Sequence, residues 1–197
     1  MFQSDFTLSQ FHDAAWSLIE QGVKDRRKPA HTPSIATIGL DGRPRARVVV
    51  LRAGDSASRS LRFHTDVRSA KIAELSQNPS LEMLIYDAQA RVQLRLGGRT
   101  EIFHYPTTQA IAAWQASLPM SKICYAVMPA SGALIEAGDG FALKTIETSQ
   151  PDDGIENFCA VVVHVETIEL VYLAQAANRR ARFSYDGGVM IGAWLVP

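Results

Sequence analysis

The chain has 197 residues, 47% of them hydrophobic, which suits one domain with a sizeable core. Twenty Lys+Arg balance twenty Asp+Glu, so the formal net charge is zero. A general nucleic-acid binder carries a basic excess, so that partner class is set aside and any anion site must be local.

The N-terminus, MFQSDFTLSQ, has no basic segment leading into an apolar run and does not read as a signal peptide. No apolar stretch approaches the roughly 20 residues of a membrane helix, so the expectation is a cytoplasmic protein with no membrane partner. Thr7 to about Lys28 predicts a helix, with Thr7 and Gln10 as a capping box and Phe11, Ala14, Ala15, Leu18 and Ile19 on one face. Asp25-Arg26-Arg27-Lys28 reads as its solvated basic end.

Ser34–Leu40 and Pro44–Leu51 predict two strands of a hairpin turned by Asp41-Gly42. Alternation would put Arg43, Arg45 and Arg47 on one face, and the run Val48-Val49-Val50-Leu51 looks buried on both faces. Ala53–Ser58 is expected as a loop and Leu61–Thr65 as a third strand. Asp66–Gln77 predicts a short helix with Asp66 as N-cap, stopped by Asn78-Pro79. Ser80–Tyr86 and Arg91–Phe103 predict further strands, the second bent at Gly97-Gly98.

Tyr105–Ser117 predicts a helix with Pro106 near its first position, and 118–154 a loop-rich insertion with a short helix at Met120–Val127. Glu156–Leu173 is a long strand or strand pair, and Arg179–Tyr185 and Val189–Leu195 form a closing hairpin around Asp186-Gly187-Gly188. The fold class is mainly β with α additions: antiparallel strands, hairpin turns and a few interrupting helices suggest a β-barrel. Cys124 and Cys159, both in apolar runs, are expected as buried reduced thiols.

Dispersed histidines give no metal spacing, and Walker A, GxGxxG and GxSxG patterns are absent. Arg68, Ser69 and Lys71 fall where the 66–77 helix would start, and free N–H groups there favour anions. On spacing alone this is either a local phosphate site or an ordinary solvated helix start.

The pieces RVVVLR (47–52), HT (64–65), RSAK (68–71), RVQLRLGGR (91–99) and NRRARF (178–183) are fairly specific in order and spacing. With them the chain resembles the pyridoxamine 5'-phosphate oxidase-like, FMN-binding split-barrel family, most strongly over 33–101 and 178–197. The resemblance implies a split barrel, bound FMN and a homodimer with the flavin between subunits. It implies a first strand, Arg47, Val48, Val49, Leu51 and Arg52, lying along the flavin. It implies Thr65, Ser69 and Lys71 as the phosphate grip, with His64 and Arg68 as further cofactor-binding residues, and Gln93 at the polar edge of the ring. Tyr172 and Arg182 would reach the flavin from the C-terminal part of the chain. The B6 oxidase proper carries an Arg-x-His pair where Asn178 and Arg180 stand, and an arginine where Ala70 stands. The chain therefore looks like the broader branch of the family, an oxidoreductase whose flavin moves hydride to or from a small molecule, with Asn178 and Arg180 on the substrate side. Pyridoxamine 5'-phosphate oxidation and non-catalytic flavin binding or redox sensing are the alternatives.

Overall fold

The computed structural model describes residues 3, 5–142, 144–173 and 178–197. Three residues of the N-terminal MFQSDFTLSQ run and Leu143 of the 118–154 segment lie outside that set. Helix α1 spans Leu8–Lys24. Thr7 caps it as expected, with Gln10 donating its N–H to the Thr7 hydroxyl and accepting the Thr7 N–H in return. It ends at Lys24 rather than Lys28, because Asp25 turns extended and binds the Arg27 side chain.

Among the described residues nine antiparallel strands make one sheet: β1 (Ser34–Ile38), β2 (Pro44–Val48), β3 (Leu51–Asp55), β4 (Ser60–Asp66), β5 (Ser80–Asp87), β6 (Val92–His104), β7 (Phe158–Tyr172), β8 (Arg179–Asp186) and β9 (Val189–Leu195). The order is β2-β1-β5-β6-β7-β4-β3, with β8 and β9 added on the other end of β7. Its two end strands, β2 and β3, are consecutive in the chain and joined only by Val49 and Val50. A sheet whose edges are that close has curled back on itself, which is the split barrel. The expected single strand Pro44–Leu51 is thus two strands. Val48 is exposed, Val49 and Leu51 are buried, and the polar stretch read as a loop from Ala53 begins inside β3.

The barrel interior is filled from alternate positions, including Ile35, Leu51, Leu61, Phe63, Met83, Leu94, Leu96, Val161 and Leu170. Helix α1 lies against β3, β8 and β9 and adds Phe11, Ala15, Trp16 and Ile19 to this core. A second cluster sits outside the barrel, where α3 (Thr108–Gln115) lays Ala110, Ala113 and Trp114 on Phe158 and Ala160 of β7. This helix starts later than expected: Thr107 caps it and Pro106 precedes it. Short helix α4 (Pro119–Lys122) and a 3-10 turn at Ile123–Ala126 follow, and the turn buries Tyr125 but leaves Cys124 exposed. The expectation of two buried thiols holds for Cys159 alone.

Helix α2 (Ala70–Gln77) packs on β1 and β6. It also starts later than expected, with Ser69 at the N-cap. Asp66 is not the cap because it accepts from the backbone N–H and guanidinium of Arg68.

The β6–β7 register shifts at Gly97/Gly98, as the paired glycines predict. A Cβ on Gly98 would stand 2.2 Å from the His164 carbonyl oxygen, which is main chain and held in the sheet. Gly98→Ala is therefore expected to lose about 1–3 kcal/mol of stability through overpacking, read as a lower urea midpoint at unchanged m-value.

Candidate functional site

Two charged groupings stand on β-strands at separate places along β7. The first lies at the mouth of the barrel. Thr65, next to last in β4, points inward, and Ser69 at the N-cap and Lys71 in the first turn of α2 lie just beyond it. Lys71 Nζ donates to Thr65 Oγ1 (2.9 Å), which lies 3.3 Å from Ser69 Oγ. No Lys71–carboxylate contact within 4.0 Å is present among the described residues. Burial, and then the charge of Arg47, lower the pKa of Lys71 from its ordinary value. Ser69 gives its hydroxyl proton to the Asp66 carbonyl (2.7 Å), so no side chain caps the first-turn N–H groups of α2. This corner is short of negative charge and rich in donors.

Arg47 comes from β2, where alternation turns it inward beside Thr37. It donates to Thr37 Oγ1 and to Glu74 Oε2 of α2 (2.6 Å), and Thr37 donates to the same carboxylate oxygen (2.5 Å). Burial alone would raise the Glu74 pKa, but the hydrogen bonds from Thr37 and Arg47 outweigh it and the net shift is downward. Glu74 and Thr37 went unnoticed in the sequence. The available signal was a carboxylate between buried Ile72 and Leu75 on a short amphipathic helix. Arg68 is engaged elsewhere: Asp66 takes it bidentately (2.6 and 2.9 Å), and it donates to the Val127 carbonyl (3.1 Å) of the long insertion. Arg47, Arg68, Ser69 and Lys71 line one open cleft of about 630 Å³, with Ala130–Ala133 opposite.

His64 is one residue from Thr65 and therefore faces the other way. Its ring packs on Phe158, with Nδ1 3.5 Å from Ser117 Oγ and Nε2 without a hydrogen-bond partner among the described residues. Burial, then Arg62 and Arg52, push its pKa down to about 3, so the ring is neutral. Arg52 donates to Ser121 Oγ (3.4 Å), and Arg62 keeps a buried Nε unpartnered. The structure thus divides the expected flavin residues: Thr65, Ser69 and Lys71, the expected phosphate grip, come together with Arg47, while Arg52 and His64 gather with Arg62 on the opposite face of β4. Val48 ends β2 exposed, and Val49 and Leu51 enter the core.

The second grouping covers the outer face of the sheet where β5, β6, β7 and β8 run side by side. Cross-strand registers put Arg95 opposite Glu169 and Glu169 opposite Arg182, with Gln93, Val171 and Arg180 in the next row. Glu169 Oε1 accepts from Arg180 Nη2 (2.7 Å), Arg180 Nε (3.1 Å) and Arg95 Nη1 (3.3 Å). Its Oε2 accepts from Arg182 Nη2 (2.9 Å), and Arg95 also grips Glu82 (2.7 and 3.1 Å). Arg180 and Arg182 share a face, as alternation requires, and Arg179 lies on the other, stacked on Trp194. Tyr172 is on the Arg179 side too, packed edge-on against Phe11 of α1, so its ring is not on the face of Gln93 and Arg182. Asn178 is exposed. Glu169, Arg95 and Glu82 were missed in the sequence, although an acid alternating with Val171 inside the apolar run IELVYL was visible.

From Cys159, opposite Thr65, to Glu169, opposite Arg182, β7 runs ten residues (159 to 169), on the order of 30 Å at strand rise. That is longer than one flavin nucleotide.

The donor set of the barrel mouth fits a phosphate monoester: a cation in no carboxylate contact among the described residues, two hydroxyls and uncapped N–H groups. A sequence profile described as "Pyridoxamine 5'-phosphate oxidase, FMN-binding domain" matches residues 13–104. A pyridoxine/pyridoxamine 5'-phosphate oxidase 2 of Arabidopsis thaliana is 29% identical over 182 residues, covering 88% of this chain and 89% of that protein. A pyridoxine/pyridoxamine 5'-phosphate oxidase of Thermosynechococcus vestitus is 31% identical over 145 residues, covering 65% and 68%. The match to the Burkholderia vietnamiensis oxidase, 38% over 71 residues, spans only 32% of that protein. In fold, the chain is similar to a pyridoxamine 5'-phosphate oxidase-related, FMN binding protein of Nostoc punctiforme, with a TM-score of 0.77, 20% identity and coverage of 98% and 100%. It is also similar to PhzG of Burkholderia lata, solved with tetrahydrophenazine-1-carboxylic acid, with a TM-score of 0.72, 18% identity and coverage of 100% and 98%. A relative alike over most of its length, a matching flavin-domain profile and a shared split barrel together make this chain a member of the FMN-binding pyridoxamine 5'-phosphate oxidase family.

Proposed function

We propose that the protein is an FMN-dependent oxidoreductase acting on a small anionic molecule, and that two copies of the chain share each flavin site. The observation that carries the flavin position is Lys71, half-buried beside two hydroxyls and an uncapped helix start, with no carboxylate within 4.0 Å among the described residues. Lys71, Thr65 and Ser69 would hold the phosphate, and Arg47, braced by Glu74, would stand beside it. Bound FMN supplies hydride transfer; the protein's part is orientation and electrostatics. Cations near the pyrimidine edge of the ring favour the reduced form, and Arg182, with one hydrogen-bond partner and an exposed guanidinium, suits that place.

The distance along β7 supports sharing. Lys71 stands beyond the Cys159 end of β7 and Arg182 opposite Glu169, ten residues further along that strand, which favours a site whose phosphate end and ring end come from different copies. The outer sheet face also leaves Leu84 and Tyr86 exposed, opposite Arg95 and Gln93, which suits a surface that a second copy covers. Arg52 and Arg62, without carboxylates within 4.0 Å among the described residues, favour an anionic substrate group. Pyridoxamine 5'-phosphate is the second reading, favoured by the names of the relatives and opposed by Arg180, which is bound to Glu169 where the oxidase proper has a histidine. A turnover assay with pyridoxamine 5'-phosphate separates the two.

FMN is expected to bind at least about tenfold more tightly than riboflavin, because a charge-assisted hydrogen bond contributes roughly 1.5–3 kcal/mol. Lys71→Ala is expected to remove most of that preference. Equal affinity for the two flavins in a fluorescence titration would contradict the phosphate assignment.

The affinity is also expected to depend on pH. The pKa of Lys71 in the free protein lies below its usual 10.5, and a bound phosphate raises it again. FMN binding therefore takes up a proton between those two values, and affinity falls as pH rises through the lower one. Titrations across the alkaline range are expected to show this slope in the wild type and none in Lys71→Met.

A further inference from the structure

We propose that Glu169 is a positioning residue of the flavin site, holding the guanidiniums of Arg182 and Arg180 in one row so that Arg182 alone is offered to the ligand. The inference rests on the flavin reading of the C-terminal hairpin given above. It goes beyond it by assigning the residue that sets the geometry and charge of that edge.

The contacts divide the three arginines into distinct roles. Arg95 is held at both ends, by Glu82 and by Glu169. Arg180 turns two of its N–H groups onto one Glu169 oxygen and is about two-thirds covered, its side chain 31% exposed. Arg182 gives a single N–H to the other oxygen and is 57% exposed, which leaves the rest of its fork free. Three guanidiniums against the two carboxylates Glu82 and Glu169 leave one net positive charge on this face.

Glu169 itself is 8% exposed, so its carboxylate is committed to these partners rather than to water. Burial raises its pKa, but the hydrogen bonds from Arg182 and Arg180 and the charge of Arg95 outweigh that, and the net shift is downward. The carboxylate is ionised at neutral pH. Without it, three cations of adjacent strands would face one another unscreened, and like charges opposite each other push apart. The notch beside the pair, about 160 Å³, is lined by Glu82, Arg95, Gly97, Thr167, Glu169 and Arg182. The absence of a side chain at Gly97 keeps this space open next to Arg182.

The test is a double-mutant cycle on FMN affinity, read by flavin fluorescence with the full-length protein. Its members are wild type, Arg182→Ala, Glu169→Gln and the double variant. Glu169→Gln keeps the size and one acceptor oxygen, so it is the variant expected to fold, and thermal melts confirm this for each protein. Arg182→Ala and Glu169→Gln are each expected to weaken FMN by roughly tenfold, with the double variant no weaker than Arg182→Ala alone. If Arg182→Ala weakens FMN but Glu169→Gln binds like wild type, the positioning role is overturned and the flavin reading stands. A double variant as weak as the product of the two singles shows independent action and also overturns it. If Arg182→Ala itself binds like wild type, the flavin reading of the hairpin fails, and the positioning role falls with it.

Discussion

Strand β7 is the constraint from which the other positions follow. Its fifteen residues pair with β4 and β6 near one end and with β6 and β8 near the other. A ladder of that length fixes where each neighbour's side chains emerge, because alternation and register leave no rotational freedom. It delivers Thr65 to the barrel mouth and Arg182 to the far outer face. The Gly97/Gly98 irregularity lets β6 follow β7 through the bend, with the main chain of His164 against Gly98. The separation of the two charged groupings is thus a property of the sheet and not of any loop.

Each grouping is built the same way. A carboxylate with little exposure, Glu74 at one end and Glu169 at the other, takes arginine from a neighbouring strand. Removing a charge from water is costly unless it is paired and hydrogen-bonded, and both acids are. The arrangement uses local pairing to assemble cations in a chain with no net charge. What is left over differs at the two ends: a half-buried lysine at the mouth and an exposed guanidinium on the outer face. On the proposed reading these correspond to the phosphate and the ring edge of one flavin.

Much of the fold was legible in the sequence. The Thr7 capping box, the Asp41-Gly42 and Gly187-Gly188 turns and the paired glycines of β6 are local signals, and each one matched. The break at Val49-Val50 was not legible, because the apolar run Val48-Val49-Val50-Leu51 hides the change from the exposed end of β2 to the buried start of β3. The helix starts at α2 and α3 were placed too early because Asp66 and Pro106 suit a helix N-terminus by type, while tertiary partners decided otherwise. Of the site, the Lys71–Thr65–Ser69 corner was visible because its residues are close in sequence. The roles of Glu74 and Glu169 were not, since each binds arginines brought from other strands. His64 and Tyr172 were carried over by motif, and the sheet places each one position away from Thr65 or from the Gln93–Arg182 face and so on the other side.

The central claim is that one flavin is held by Lys71 of one chain and Arg182 of another. Subunit complementation tests it most directly. Differently tagged Lys71→Ala and Arg182→Ala chains are co-expressed, the mixed dimer is purified through both tags, and its FMN content is titrated. A shared site predicts that the mixed dimer regains one tight flavin site, formed from the two intact halves, although each parent binds weakly. A mixed dimer that binds no better than its parents would contradict the account and place both residues' roles within a single chain.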